Sequence, residues 1–471
     1  MDERFAASQI DRWSREHREE LIEDLKALIR IPSIVEYDQE LYPMGSACKQ
    51  ALDCFETFGK KYGFECVNHE DYALSILSSS YSSSERELGM LGHLDVVSAG
   101  DGWTTPPYQP VLHKGYLFGR GSLDNKGPLV MCLYVMRCIR DLQLPITSRI
   151  RLIAGCDEEM EMRDIRHYLS LNQPPAFTLN CDGAWPVCLG EKGTVIARVK
   201  MKLQEGSRLE TCGGVAINTV PDQAQAIIPS DMLPDDLPDG LWGTCNESSV
   251  CIKATGLSAH CSAPALGCNA IRELIEYLQG ASLLSEEERH CFQKLWACFP
   301  DDDGTGLRIH YADSISGKTT CVPTLLSTQN GEIAITINIR YSVSQQYMPM
   351  IERMNKRCRS LGMEAEVLSH IPPRQDSLHH PIIRMLLQTS QKYVGKQHKP
   401  YYTGGGTHSR FFPNSIPFGP EKLLRTRPKR FGRPHGPNEA VCIDDLLEGI
   451  KIYTIALLKL DGYFENLEHE K

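Results

Sequence analysis

The sequence predicts an α/β protein interrupted by an α+β domain, and three changes of pattern carry that prediction. Before residue 190 buried strands alternate with helices. From "EKG" at 191–193 the strands become half-buried with polar alternation, and past residue 372 the first style returns. Alternating strands and helices imply a mixed, mainly parallel sheet covered by helices. The expected division is therefore 1–189 and 373–471 for one domain, with 190–372 inserted into it.

Taken in order, apolar Ile10, Trp13, Leu21, Leu25, Leu28 and Ile29 recur at helical spacing. They predict one amphipathic helix that stops at the Ile-Pro of "RIPSI". "ALSIL" (73–77), "ELGMLGHLDVV" (87–97), "SRIRLIAGC" (148–156) and "FTLNCDG" (177–183) read as buried strands, and "KGPLVMCLYVMRCIRDL" (126–142) as a helix. In the insertion, "TVIARVKMKL", "AINTVPDQAQAII", "SVCIKATG" and "EIAITINIRYSV" read as half-buried strands. "NAIRELIEYLQ" (269–279) and "MPMIERMNKRCRSLG" (348–362) read as helices. "PIIRMLLQTSQKYVG" and "CIDDLLEGIKIYTIALLKL" then restore the first pattern.

Composition narrows the function. With 471 residues, 41% hydrophobic and 23% charged, the chain has the profile of a globular protein of two domains. A formal net charge of -10 argues against binding nucleic acid or an anionic membrane over a broad surface. The 18 cysteines include no C-x-x-C pair, which speaks against a thiolate zinc site. The N-terminal stretch lacks the apolar core of a signal peptide, and the longest apolar run, around "PLVMCLYVM", is too short to span a bilayer. A cytoplasmic protein with reduced thiols is expected.

The chemistry concentrates at predicted strand ends. His93 and Asp95 stand two apart, so in a strand they face one side, and a carboxylate behind an imidazole fixes the ring tautomer for metal binding. That spacing suits a core-satisfied or solvent-facing pair equally well. Asp124 in "GRGSLDNKGP", Glu158 and Glu159 in "AGCDEEME", and Asp182 in "TLNCDG" follow at successive strand ends, where open α/β sheets place their sites. Adjacent glutamates diverge, so one can bind metal while the other faces substrate. His435 in "RPHGPNE" offers a second imidazole. Two histidines and three carboxylates without thiolate suit a pair of divalent ions.

These stretches, with "GDGW", "CDGAWP", "EKG", "NTVPD", "GLSAHCSAP", "NIRYSV", "GGGTHSR" and "FGP", run in order from about residue 90 to 435. In them the chain resembles the di-zinc metallopeptidases that include aminoacylases, carnosinases and bacterial dipeptidases, and most of all the PepV-type dipeptidases. The resemblance implies a zinc-aminopeptidase-like domain with an inserted ferredoxin-like lid. It also implies two zinc ions, with manganese or cobalt as alternatives. His93, Asp124 and Asp182 would hold one ion, Asp124, Glu159 and His435 the other, with Asp124 bridging. Asp95 would back His93, and Glu158 would be the general base. His260 of the lid would reach the oxyanion. Arg340 and the turn Gly404, Gly405 and Gly406 would take a free α-carboxylate, and Asn218 would contact substrate.

The implied activity is hydrolysis of dipeptides or similar small peptides by a monomer or homodimer. The alternatives are deacylation of N-acyl amino acids on the same fold and a non-catalytic binding protein. The chain departs from the family at Asn125, where Asp is common, and at His408 and Ser409, which replace Tyr and Ala. It also carries a longer, more basic "EKLLRTRPKRFGR". Lys422, Arg425, Arg427, Lys429, Arg430 and Arg433 in that stretch suit either a solvated basic loop balancing nearby carboxylates or, at the mouth of the cleft, a preference for acidic dipeptides.

Overall fold

The computed structural model describes residues 2–37, 41–79, 86–230, 232–234, 236–426, 428 and 431–469. The chain forms two compact units, one of Met1–Leu189, Asp376–Tyr401 and Gly406–Lys471, the other of Gly190–Gln375 and Tyr402–Gly405.

The first unit is built on a six-stranded mixed sheet. Its strands, in spatial order, are Glu65–His69, Ala73–Leu77, Arg149–Gly155, Glu87–His93, Phe177–Asn180 and Ser415–Pro417. The first two pairings are antiparallel and the last three parallel. The helix Lys126–Asp141 is buried on almost every face, as a helix apolar all round should be. Arg18–Ile29 and Ile443–His469 pack against it.

The single N-terminal helix expected from periodicity is two helices, Glu3–Glu16 and Arg18–Ile29, divided at His17. The His17 ring Nδ1 lies 2.8 Å from the Trp13 carbonyl, which also accepts the His17 N–H at 3.1 Å. A side chain that bonds to the preceding turn competes with continuation of the helix.

The second unit carries an eight-stranded antiparallel sheet. The order is Leu241–Cys245, Val250–Thr255, Gln223–Ile228, Glu210–Gly213, Thr320–Gln329, Glu332–Tyr341, Gly193–Lys202 and Glu364–Ile371. Its core is aliphatic, with Val195, Val199, Ile252, Ile335 and Ile337 fully buried. The helix Ala270–Leu278 packs on this sheet, its first turn capped by Asn269 Oδ1, which accepts the N–H of Ile271 and Arg272. Helix Glu286–Trp296 begins with a reciprocal Ser285/Glu288 capping box.

The strand expected from "AINTVPDQAQAII" divides in two. Thr219–Val220 pairs with Ala259–His260, while Gln223–Ile228 joins the large sheet. Pro221 between them has no N–H to continue a ladder.

Candidate metal centre

The parallel strands of the first unit end in one row: His93 stands opposite Gly155, and Leu91 opposite Asn180. The next few residues of each strand therefore leave the sheet at one edge, carrying Asp95, Glu158, Glu159 and Asp182 with them. The strand expected to reach Val97 stops at His93: Leu94 N–H makes the last bond to the neighbouring strand, at Gly155 O, and Val96 N–H turns instead to Ser33 O.

His93 is fully buried, with Nε2 3.2 Å from Asp124 Oδ1. Its Nδ1 lies 3.1 Å from the Asp95 carbonyl and 3.3 Å from Asp95 Oδ1. Asp95 Oδ2 accepts the Glu159 N–H at 3.0 Å, so one buried carboxylate backs the imidazole and anchors the glutamate turn. The other Asp124 oxygen, Oδ2, lies 3.1 Å from His435 Nε2, which is 2.9 Å from Glu159 Oε2. Ligand atoms of His93, Asp124 and Glu159 lie within 4.8 Å of one another, as do those of His93, Glu158 and Asp182. His435 has φ of 65°, left-handed backbone that a non-glycine residue adopts only when its surroundings hold it there.

The donors suit divalent cations. Imidazole nitrogens and carboxylate oxygens converge without thiolate; the nearby thiols of Cys156 and Cys181 are pushed well up by burial. Glu158 Oε1 and Glu159 Oε1 are buried without a hydrogen-bond partner, an arrangement that is costly unless a cation completes it. Burial pushes the Glu158 carboxyl well above its ordinary value, and the Asp182 carboxylate adds to the push. Asp182 is pushed up to about 7 by burial and by Asp124. Burial opposes charge on Asp124 too, but His435 and His93 outweigh it and hold that carboxyl low. The imidazoles respond in kind: despite burial, Asp95 and Asp124 lift His93, and Glu159 and Asp124 lift His435. Carboxylates outnumber imidazoles, and bound cations would relieve that repulsion.

Asn125 accounts for its own departure from the family. Its Nδ2 donates to Cys181 O at 3.2 Å while its Oδ1 accepts from Cys181 Sγ at 3.3 Å and from His93 N at 3.4 Å. An amide serves both roles; an ionised carboxylate could only accept. His408 is buried, with Nε2 3.1 Å from Asp164 Oδ1. Ser409 Oγ accepts from Asn180 Nδ2 at 3.0 Å.

The remaining expected substrate residues belong mostly to the second unit. His260 ends the strand paired with Thr219–Val220, and its Nδ1 lies 2.6 Å from Ser262 Oγ. Arg340 is buried, donating to Asn338 Oδ1 at 2.9 Å and Thr194 Oγ1 at 3.1 Å. Asn218 uses its carbonyl to accept Cys261 N–H and its side chain to accept from Thr219. Gly404 and Gly405 fall in this unit, Gly406 in the other. A Cβ at Gly404 would come within 2.7 Å of Ser262 Cβ, and one at Gly406 within 2.4 Å of the Arg410 guanidinium.

Two cations of the basic stretch are engaged elsewhere. Lys422 Nζ pairs with Asp445 at 2.9 Å and Glu448 at 2.5 Å, and Arg425 pairs with Asp445 at 2.8 Å. Arg427, Lys429 and Arg430 lie outside the described residues. The expected attraction of acidic substrates thus loses Lys422 and Arg425, whose charge the helix Ile443–His469 already neutralises.

Sequence reasoning passed over Arg120, Asp164 and Glu439, all buried beside the centre. Their signal was weak: single charges flanking a motif normally read as surface.

Residues 89–459 match peptidase family M20/M25/M40, and the chain belongs to that family. It is accordingly a metallopeptidase, a hydrolase of peptide bonds. It is similar to YtjP of Bacillus subtilis (strain 168), at 29% identity over 464 residues covering 94% of this chain and 97% of that protein. It is also similar to the Beta-Ala-Xaa dipeptidase of Lactobacillus delbrueckii subsp. lactis, at 27% identity over 470 residues, 94% of this chain and 96% of that one. Its fold resembles human carnosine dipeptidase 1 with a TM-score of 0.61 and 13% identity, over 97% of this chain and 99% of the other. Among the described residues no helix is long and apolar enough to cross a membrane.

Proposed function

We propose that this chain is a dipeptidase working in the cytoplasm with two divalent ions, zinc in the first place and manganese or cobalt as alternatives. The observation that carries the proposal is the division of Asp124, whose Oδ1 faces His93 and whose Oδ2 faces His435. One carboxylate so divided between two imidazoles suits a bridge. His93, Asp124 and Asp182 would then hold one ion, and Asp124, Glu159 and His435 the other. The ions, when bound, supply Lewis acidity toward the scissile carbonyl and acidify water.

The protein residues handle the protons and the substrate. Glu158, with its unpartnered Oε1 and raised proton affinity, takes a proton from the attacking water and returns it to the leaving amine. Asp95 holds the tautomer of His93 that leaves Nε2 free to ligate. His260 stabilises negative charge on the reacting carbonyl oxygen, and Asn218 contacts the substrate. Arg340 and the turn at Gly404, Gly405 and Gly406 take the substrate carboxylate. The dipeptidase named among the relatives supports the choice of substrate. All 18 cysteines are free thiols, which suits a reducing compartment.

The test is a panel of dipeptides set against N-acetyl and N-succinyl amino acids, with the purified full-length chain and its metal content measured. Faster turnover of dipeptides is expected. Turnover confined to N-acyl amino acids would make it a deacylase, and absence of turnover on both would overturn the reading.

A further inference from the structure

Glu439 is fully buried, and both of its oxygens are taken by one stretch of chain. Oε2 accepts from Arg120 Nη1 at 2.6 Å and from Gly121 N–H at 3.1 Å. Oε1 accepts the N–H of Leu123 at 2.9 Å and of Asp124 itself at 3.0 Å. Four donors saturate a carboxylate. Arg120, 1% exposed, turns its Nη2 to the carbonyls of Ser98 at 3.3 Å, Ala99 at 3.2 Å and His435 at 3.2 Å. Its guanidinium also stands 5.3 Å from the Trp103 ring centroid. One ion pair therefore grips the backbone of both Asp124 and His435, residues far apart in sequence. The side of the centre formed by His93 and Asp182 rests on groups that bond to neither Arg120 nor Glu439. Asp95 backs His93, and Asn180 Oδ1 accepts the Asp182 N–H at 3.0 Å.

We infer that Arg120 and Glu439 are positioning residues that set the spacing of Asp124 and His435 and so govern binding of one ion of the pair more than the other. Neither touches substrate or the reacting atoms. They act on the backbone that carries two ligands, and supports of this kind govern metal affinity by about 10–100-fold. This inference rests on the two-ion reading of the site. It assigns a different sensitivity to each half.

The test is competitive titration of Zn²⁺ against a chelator, using the metal-stripped full-length chain. Two equivalents are expected to bind the wild type. The double variant Arg120→Met/Glu439→Gln removes both charges together and so avoids leaving one buried alone. It should weaken the equivalent held by both Asp124 and His435 about 10–100-fold, and the other, which shares only Asp124 with it, by a clearly smaller factor. Arg120→Lys keeps a charge on Glu439 but loses the planar fork that reaches His435 O, so it should weaken the same equivalent by a smaller factor. If the double variant fails to fold, by near-ultraviolet circular dichroism, Arg120→Lys decides alone. Wild-type affinity for both ions in the folded variants, or equal loss of both, would overturn the inference. A wild type that takes fewer than two ions would instead overturn the two-ion reading on which it rests.

Discussion

His408 and Asp164 are joined by a buried hydrogen bond, Nε2 to Oδ1, 3.1 Å long, and the same carboxylate holds the turn that leads into the glutamate pair. Asp164 Oδ2 accepts the N–H groups of Cys156 at 2.7 Å and Asp157 at 2.9 Å. Oδ1 also accepts the Ile165 N–H at 2.6 Å, so Asp164→Ala strands four donors. At about 1–3 kcal/mol for each buried group left unsatisfied, the loss should exceed that of any single bond. We expect a fall of more than about 3 kcal/mol in urea unfolding, and about 1–3 kcal/mol for His408→Ala. His408→Tyr, which restores the residue common in the family, should not recover the wild-type value while Asp164 remains.

Glu158→Gln preserves size and removes the proposed proton carrier. Bound metal, measured by elemental analysis, should stay at the wild-type level while kcat falls by at least about 10²-fold, the lower range for general acid-base catalysis. Asp124→Ala should lose metal instead. Turnover near wild type in Glu158→Gln would remove Glu158 from the role of general base.

Arg340→Ala should raise KM for dipeptides with a free C-terminal carboxylate and leave C-terminally amidated analogues nearly unchanged. Arg340 bonds to Asn338 and Thr194, so it also has structural work in its own unit. Equal losses on both substrate types, with a lowered melting temperature, would assign it that work alone.

Asp461 ties the C-terminal helix to the start of a sheet strand, accepting the N–H of Thr147 at 2.7 Å and of Ser148 at 2.8 Å. Burial opposes its charge, but bonds from Ser148 and Thr147 outweigh burial and hold its carboxyl below the ordinary value. A carboxyl depressed in the folded state stabilises above the unfolded value of about 3.9, and that contribution disappears as pH falls through the folded value. The stability gap between wild type and Asp461→Ala should therefore be full at pH 7 and shrink below about pH 4. Urea titrations at pH 7 and pH 3 measure it.

Much of the fold could be read in advance because burial writes itself into periodicity. Ala73–Leu77 and the helix from Lys126 were legible as unbroken apolar runs between polar turns. The break at His17 was not, since apolar spacing runs through it and only a ring bonded to Trp13 O reveals it. Helix Ser46–Lys61 drew no expectation, although its Cys48, Leu52 and Phe55 face inward. At the centre, His93, Asp124, Glu159, Asp182 and His435 stood out because acids and imidazoles at strand ends are chemically conspicuous. Arg120 and Glu439 did not, because a charge buried for its backbone contacts looks in sequence like any surface charge.

The insertion has a consequence for how the protein is made. His93, Asp124, Glu159 and Asp182 all precede Gly190, where the second unit begins, whereas His435 and Glu439 follow it. As the chain leaves the ribosome, its early candidate ligands are made while the late histidine, and the carboxylate that accepts the Leu123 and Asp124 N–H groups, are still unsynthesised. Under the proposed two-ion reading, the complete ligand set thus exists only once synthesis has passed His435.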